Sequence, residues 1–368
     1  MRTALARRTA PLALAAAVAG TLTGAGLTGT VLTGTALADA PSGAWTATEI
    51  TGLTAPSLYG VTAPDRRHAW AVGTQASASA PLILSYRHGA WTPQAAPAGT
   101  APELVDVASG GPSNVWAVGQ GGGDAAAKSL HWNGRAWKAV AYPRSQPMAV
   151  SVDSRGKAWS VGSNTDGSGA GVFRRTGGTW TDKGLALTGG GLLDALAART
   201  PKDVWAGGMA SSGDGLWHYD GTAWTQMDVP GDWPHWVLQI VAPSPKDVWF
   251  YTLPQDPLFS GPDLVHWDGT AFTVTKTPSP YGQVRTYAQH VGFLGDIAPD
   301  GHGGVWLQDS RTAYYRHFDG TAWTDVPRPG GGTGGAPQVY ALAEAGRTAS
   351  VWGVGPGAGD RLLIDGFR

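Results

Sequence analysis

Short apolar runs alternate with polar, glycine-rich segments along most of the chain, and the runs share a form. The clearest are Ala69-Trp70-Ala71-Val72-Gly73 and Val115-Trp116-Ala117-Val118-Gly119. Their Trp recurs at Trp70, Trp116, Trp159, Trp205, Trp249, Trp306 and Trp352, with spacings of 46, 43, 46, 44, 57 and 46 residues. A second aromatic keeps nearly the same period at Trp45, Trp91, Trp137, Trp180, Trp224, Phe272 and Trp323. Strand-length runs repeating at this period predict one sheet per repeat, not a succession of helices.

Each repeat reads as four strands. An apolar strand such as Leu104-Val105-Asp106-Val107 leads, and a turn such as Ser244-Pro245-Lys246-Asp247 precedes the Val-Trp strand. A polar loop of variable length follows, then a third strand ending in an aromatic, as in Leu130-His131-Trp132. Asn133-Gly134, Asp220-Gly221, Asp268-Gly269 and Asp319-Gly320 predict a two-residue hairpin with positive φ angles into the fourth strand. Four antiparallel strands per repeat are a propeller blade, and seven repeats predict an all-β, seven-bladed β-propeller. Asp365-Gly366 reads as the seventh hairpin, so the aromatic after it falls one residue past the end of the chain. Gly43-Ala44-Trp45-Thr46 is an orphan copy of that missing strand, which predicts that the N-terminal strand closes blade 7 and removes an open edge.

Residues 1–40 read as an export signal, leaving 41–368 as the propeller. Arg2, Arg7 and Arg8 form a basic start, Pro11 to Gly20 is apolar, and Ala36-Leu37-Ala38 and Ala38-Asp39-Ala40 are small-residue cleavage patterns. Sec and twin-arginine export both fit, and the expected location is extracellular. No later segment is long and apolar enough to span a bilayer. After removal, 23 basic residues face 26 acidic ones. That mildly acidic balance argues against nucleic acid and anionic lipid as partners. The chain has no cysteine, which excludes disulfides, zinc-thiolate sites and a cysteine nucleophile. Thirteen of the 18 tryptophans occupy the two repeat positions, and they supply the interior that a disulfide framework would otherwise provide.

The hairpin His266-Trp267-Asp268-Gly269-Thr270-Ala271-Phe272 resembles the Asp-box (BNR) turn of sialidases and photosystem-assembly-factor-like propellers, although Asp and Gly are adjacent here. The blades also resemble those of kelch and galactose-oxidase-type proteins. The likeness spans residues 43–368 and implies a secreted bacterial repeat propeller, without carrying an activity. Galactose oxidase needs a Cys–Tyr cross-link that this chain lacks, and no Arg-anchored sialidase motif is present.

His131, His218, His266 and His317 share one repeat position, which predicts a packing or hydrogen-bonding slot and no metal site. Asn114, Asp203 and Asp247 read as turn formers. No cofactor is expected. Function is sought where the repeat breaks, on the end formed by second-to-third-strand loops and interblade loops. Blades 1–4 are near-uniform, and the breaks cluster around blades 4–6. They supply Trp233, His235 and Trp236 before blade 5, Tyr251 and Asp256 within it, Tyr281, Arg285, Tyr287 and His290 after it, and Arg311 in blade 6. These ten residues are the predicted ligand-binding set. Rings with polar tips suit sugar faces and hydroxyls, so the expected function is an extracellular binding module for glycan or cell-wall polymer. A secreted polysaccharide hydrolase or lyase, with His235 or His290 paired to Asp256 or Asp309, is one alternative. A monomeric scaffold for another secreted protein is the other.

Overall fold

Seven four-stranded antiparallel sheets follow one another along the chain. The computed structural model describes residues 43–123, 126–185, 187, 191–255, 261–278, 295–308, 314–329, 339–357 and 360–368; residues 1–40, read above as an export signal, lie outside them. Blade 2 is representative, with strands Glu103–Ser109, Val115–Gln120, Ser129–Trp132 and Trp137–Val140 in spatial order. First strands of successive blades contact one another around the whole ring, from blade 7 back to blade 1, and so surround the axis. A sheet packed between two others has no solvent face over its middle. The second strands therefore read as unbroken apolar runs, Ala158–Ser163 being buried throughout.

The core is divided among the interfaces between blades. Seven hydrophobic clusters each join residues of two neighbouring blades. The second-strand Trp anchors them by packing on aromatics of the next blade. Trp116 meets Trp180 edge-on at 5.5 Å, and Trp352 meets Trp91 at 5.2 Å across the blade 7–blade 1 interface. Each buried Trp removes roughly 150–250 Å² from water, an upper bound of several kcal/mol at about 25 cal/mol per Å².

Blade 7 is closed by the N-terminal strand. Trp45–Ile50 pairs antiparallel with Leu362–Phe367, and Trp45 lies opposite Phe367. This is the register of Trp137 opposite Trp132 and of Trp323 opposite Phe318, so Trp45 fills the predicted slot. The route to it differs from the expectation. Asp365-Gly366 is not a hairpin: both residues lie inside the third strand, Gly366 opposite Trp352. Phe367 takes the place at the end of the third strand that Trp132 and Phe318 hold in blades 2 and 6.

The turns also differ from the two-residue form read from Asp-Gly. Gly221, Gly269 and Gly320 do adopt positive φ, at 104°, 95° and 96°, but the Asp before each does not. The Asp carboxylate instead reaches forward. Asp268 Oδ1 accepts the N–H of Thr270 at 2.7 Å and of Ala271 at 2.8 Å, and Asp220 and Asp319 repeat the arrangement. The side chain organises the turn, and the glycine supplies the backbone freedom.

Candidate functional site

Four of the ten predicted site residues are described, and they differ sharply in exposure. His235 and Tyr251 are each 1 % exposed and Trp236 is 8 % exposed, whereas Trp233 is 47 % exposed. Their strands explain this. His235 and Trp236 begin the innermost strand of blade 5, His235–Ser244, where neighbouring blades cover both faces. Trp236 Nε1 donates to Asp194 Oδ2 of blade 4 at 2.7 Å. Tyr251 lies inside the second strand of blade 5, opposite Gln239. As buried groups, these three cannot present a ring or polar tip to a ligand. Asp256, Tyr281, Arg285, Tyr287, His290 and Arg311 lie outside the described residues, as does Asp309.

His235 has carboxylate partners in Asp214 and Asp263. Its Nδ1 lies 2.8 Å from Asp214 Oδ1 and its Nε2 3.8 Å from Asp263 Oδ2. Lys276 Nζ reaches the same Asp263 oxygen at 2.9 Å. Burial alone would lower the imidazole pKa, but the two aspartates overcome it and raise it to about 9. Asp214 also accepts the N–H of Val229 and of His235, so the cluster ties the blade 4–blade 5 crossing together.

The recurring histidines occupy one hydrogen-bonding and packing slot, as read from the repeat. His131, His218, His266 and His317 each donate Nε2 to an Asn or Asp of the turn before the Val-Trp strand, at 2.7 to 3.0 Å. Each ring also lies against the Trp of its own blade, with centroids 4.0 to 4.7 Å apart. Asn114, Asp203, Asp247 and Asp300 are thus acceptors as well as turn formers. Blade 3 substitutes Arg174, which donates to Asp153 at 2.9 Å and lies over Trp159. Burial would raise the Asp153 carboxyl, but hydrogen bonds from Trp159, the Lys157 N–H and Arg174 hold it below its ordinary value.

Around the axis, buried carboxylates clasp neighbouring first strands. Asp106 accepts the N–H of Val150 in blade 3 at 2.7 Å. Asp296 accepts from Gln239 of blade 5 at 2.6 Å and from the Leu342 N–H of blade 7 at 2.7 Å. Burial pushes Asp106 up to about 6 and Asp296 up to about 7 against these bonds.

A cleft of about 800 Å³ lies between blades 2 and 3. Tyr142, Arg144 and Ser145 reach it from the connection between the two blades, and Asn164, Thr165 and Asp166 from the loop joining strands two and three of blade 3. Ala139 and Ala141 line the wall between them. Arg144 is positioned by donating Nε to Gly169 O at 2.7 Å and by lying over Phe173. Tyr142 is fixed by a 2.8 Å hydrogen bond with Ser160, and Ser145 by one of 2.9 Å with Thr165. The cleft offers amide, hydroxyl, carboxylate and guanidinium groups around a small apolar wall. Its connectivity puts it on the same end of the ring as Trp233.

No protein-family model and no curated protein matches the sequence. Solved structures match over nearly the whole propeller. A virginiamycin B lyase from Staphylococcus aureus, a catalytically inactive variant with quinupristin, is 14 % identical with a TM-score of 0.62, covering 88 % of this chain and 99 % of that one. YCF48 bound to D1 peptide is 18 % identical with a TM-score of 0.56, covering 87 % and 96 %. The WD40 β-propeller domain of Doa1 is 9 % identical with a TM-score of 0.55, covering 87 % and 95 %. At these identities the likeness establishes the seven-bladed fold and nothing finer.

The sequence reading missed the blade 2–blade 3 cleft because both blades keep the standard length. A signal was available in composition. Asn164-Thr165-Asp166-Gly167-Ser168-Gly169 is the loop of a standard-length blade in which every residue is polar or glycine.

Proposed function

We propose that the protein is an extracellular binding propeller that recognises a glycan or cell-wall polymer on the end bearing the blade 2–blade 3 cleft and Trp233. The observation that carries this reading is the cleft itself. Its volume lies in the range of ligand sites, about 300–1,000 Å³, and Asn164, Thr165, Asp166 and Arg144 form a donor and acceptor set suited to sugar hydroxyls. Trp233 adds a ring at the same end, where it can stack on a sugar face.

The test is a glycan array followed by titration with soluble cell-wall polymers. Asn164→Ala with Asp166→Ala is expected to weaken binding about tenfold or more, the loss of two hydrogen bonds to a ligand. Unchanged affinity in that variant would overturn the assignment. A peptide is the second reading, supported by YCF48, a propeller of the same architecture with a peptide bound. Binding to peptides and to no glycan would favour it. Polymers recovered shortened would favour a lyase or hydrolase instead.

A further inference from the structure

At the end of the ring opposite the cleft, the turns joining strands one to two and three to four come together. Turns of neighbouring blades touch there: Asn114 Nδ2 of blade 2 donates to Gly156 O of blade 3 at 2.9 Å, and the hydroxyls of Thr62 and Ser109 link blades 1 and 2 at 2.9 Å. On blades 1–3 this end carries Arg66, Arg67, Arg135, Lys138, Arg155 and Lys157, all exposed. Among the described residues, none of the six uses its side chain in a hydrogen bond or ion pair.

The acids of the same sector are already engaged by the fold, although the Asp65 side chain stays 41 % exposed. Asp65 accepts the N–H groups of Arg67 and His68 and pairs with the His68 ring. The Asp153 side chain is fully buried against Trp159 and Arg174. The last turns of blades 1–3 are His88-Gly89, Asn133-Gly134 and Gly177-Gly178, whereas blades 4–6 place Asp220, Asp268 and Asp319 there. Blades 4 and 5 also carry Lys202 and Lys246 on this end, but beside the exposed Asp220 and Asp268, so the cations without a neighbouring exposed aspartate turn collect on blades 1–3. The field reaches inside the fold. Burial lowers the pKa of His131, and Arg175 and Lys138 lower it further.

We propose that this face of blades 1–3 docks a linear polyanion, a polymer carrying phosphate, sulfate or carboxylate groups along an extended chain. The choice follows from what accompanies the charge. All six cations are exposed on turns and strand ends, and none lines the blade 2–blade 3 cleft or the opening beside Arg199 and Arg347, a placement that suits an extended partner better than an enclosed small anion. The exposed large apolar residues Leu192, Trp233 and Tyr314 belong to strand ends and loops on the opposite end. A protein interface needs an apolar or aromatic centre, a membrane surface needs an inserting wedge, and single-stranded nucleic acid needs stacking rings. Unpaired cations on turn tips, four of them arginines with forked donors, suit a partner held by charge along its length.

Purified protein would be titrated with polyphosphate, heparin, polygalacturonate and a duplex DNA oligomer, at about 0.05 M and about 0.5 M salt. Binding to at least one linear polymer is expected at low salt, falling about tenfold or more at high salt. Which polymer binds separates phosphate from sulfate from carboxylate. Changing Arg66, Arg67, Arg155 and Lys157 together to Ala is expected to weaken binding at least about tenfold with no change in melting temperature, because these side chains hold nothing in the fold. Arg66→Lys, Arg67→Lys and Arg155→Lys together should keep most of it, and Arg361→Ala, an exposed cation on the other end, should keep all of it. The proposal is overturned if no polymer binds, if the four-residue variant binds like the parent, or if duplex DNA binds more tightly than every polymer. Glycan binding at the cleft stands or falls separately, through Asn164 and Asp166.

Discussion

The ring of Tyr315 lies face to face with that of Trp45, their centroids 3.7 Å apart and their planes 12° from parallel. One residue belongs to blade 6 and the other to the N-terminal strand that completes blade 7. Tyr315 also donates its hydroxyl to Asp365 Oδ2 at 2.7 Å, and Arg328 donates to the same oxygen at 3.0 Å. Asp365 lies on the strand that Trp45–Ile50 pairs with, so one tyrosine contacts both parts of the closing blade.

Trp45→Ala removes this stack together with the edge-on contact to Trp306. It is expected to cost about 3–5 kcal/mol, the range for emptying a buried aromatic site. Deleting residues 43–50 should go further, exposing Leu362–Phe367 as an open edge and producing aggregates or exchanged dimers. Calorimetry and size-exclusion chromatography check both. A deletion variant that remains monomeric and melts with the parent would contradict the energetic importance of closure.

Trp233 and Trp236 should behave as opposites despite being three residues apart. Trp233→Ala changes an exposed ring and is expected to shift stability by less than about 0.5 kcal/mol. Trp236→Ala leaves a cavity and strips Asp194 of its donor, which predicts a loss of about 3–5 kcal/mol. Denaturant unfolding of the two variants separates them, and equal losses would mean that the exposed ring is bound into the fold.

Stability should be higher near pH 5 than near pH 9. His235 is raised to about 9, so its contribution is complete below its ordinary value of 6.5 and disappears as pH rises through about 9. Asp106 at about 6 and Asp296 at about 7 lie above their ordinary 3.8, so their contribution has the same sign and is lost as pH rises through 6 to 7. Asp153 and Asp300 are lowered and act oppositely, losing stability only as pH falls below the ordinary carboxylate range. Melting temperature against pH is the measurement. Asp296→Asn should flatten the profile between about pH 4 and pH 7, and His235→Gln the limb between about pH 6.5 and pH 9. A profile that climbs steadily to pH 9 would refute the assignment.

The histidine slots hold Asn or Asp acceptors, and no described group of acids and histidines forms a metal site. Chelator and reductant are therefore expected to leave the melting temperature unchanged. A fall of several degrees in EDTA would reveal a bound ion that contributes to folding. Asp300→Ala, which abandons His317 and two backbone N–H groups, should by contrast cost about 2–5 kcal/mol.

Much of this fold is periodic, and periodicity is what a sequence displays. Trp70 through Trp352 fix the number of blades, and Trp45 fixes the closure, because each repeat meets the same environment and so keeps the same residue. The histidine slot was legible for the same reason: a position that recurs on one strand must face the same neighbours. The exposure of Trp233 and the burial of Trp236 and Tyr251 were not legible, because both kinds of ring break the repeat in the same way along the chain. Which of them faces water depends on where the innermost strand of blade 5 begins, and that is set by pairing between His235 and Pro254 and by packing from blade 4. The cleft between blades 2 and 3 and the cationic sector beneath them belong to the same class. Each assembles residues from separate turns and loops, and only the closing of the ring brings neighbouring blades into register. The sequence alone determined the architecture, because burial imposes a pattern on every repeat; the tertiary structure decided the surfaces, because exposed positions carry no such constraint and acquire meaning only from what lies beside them.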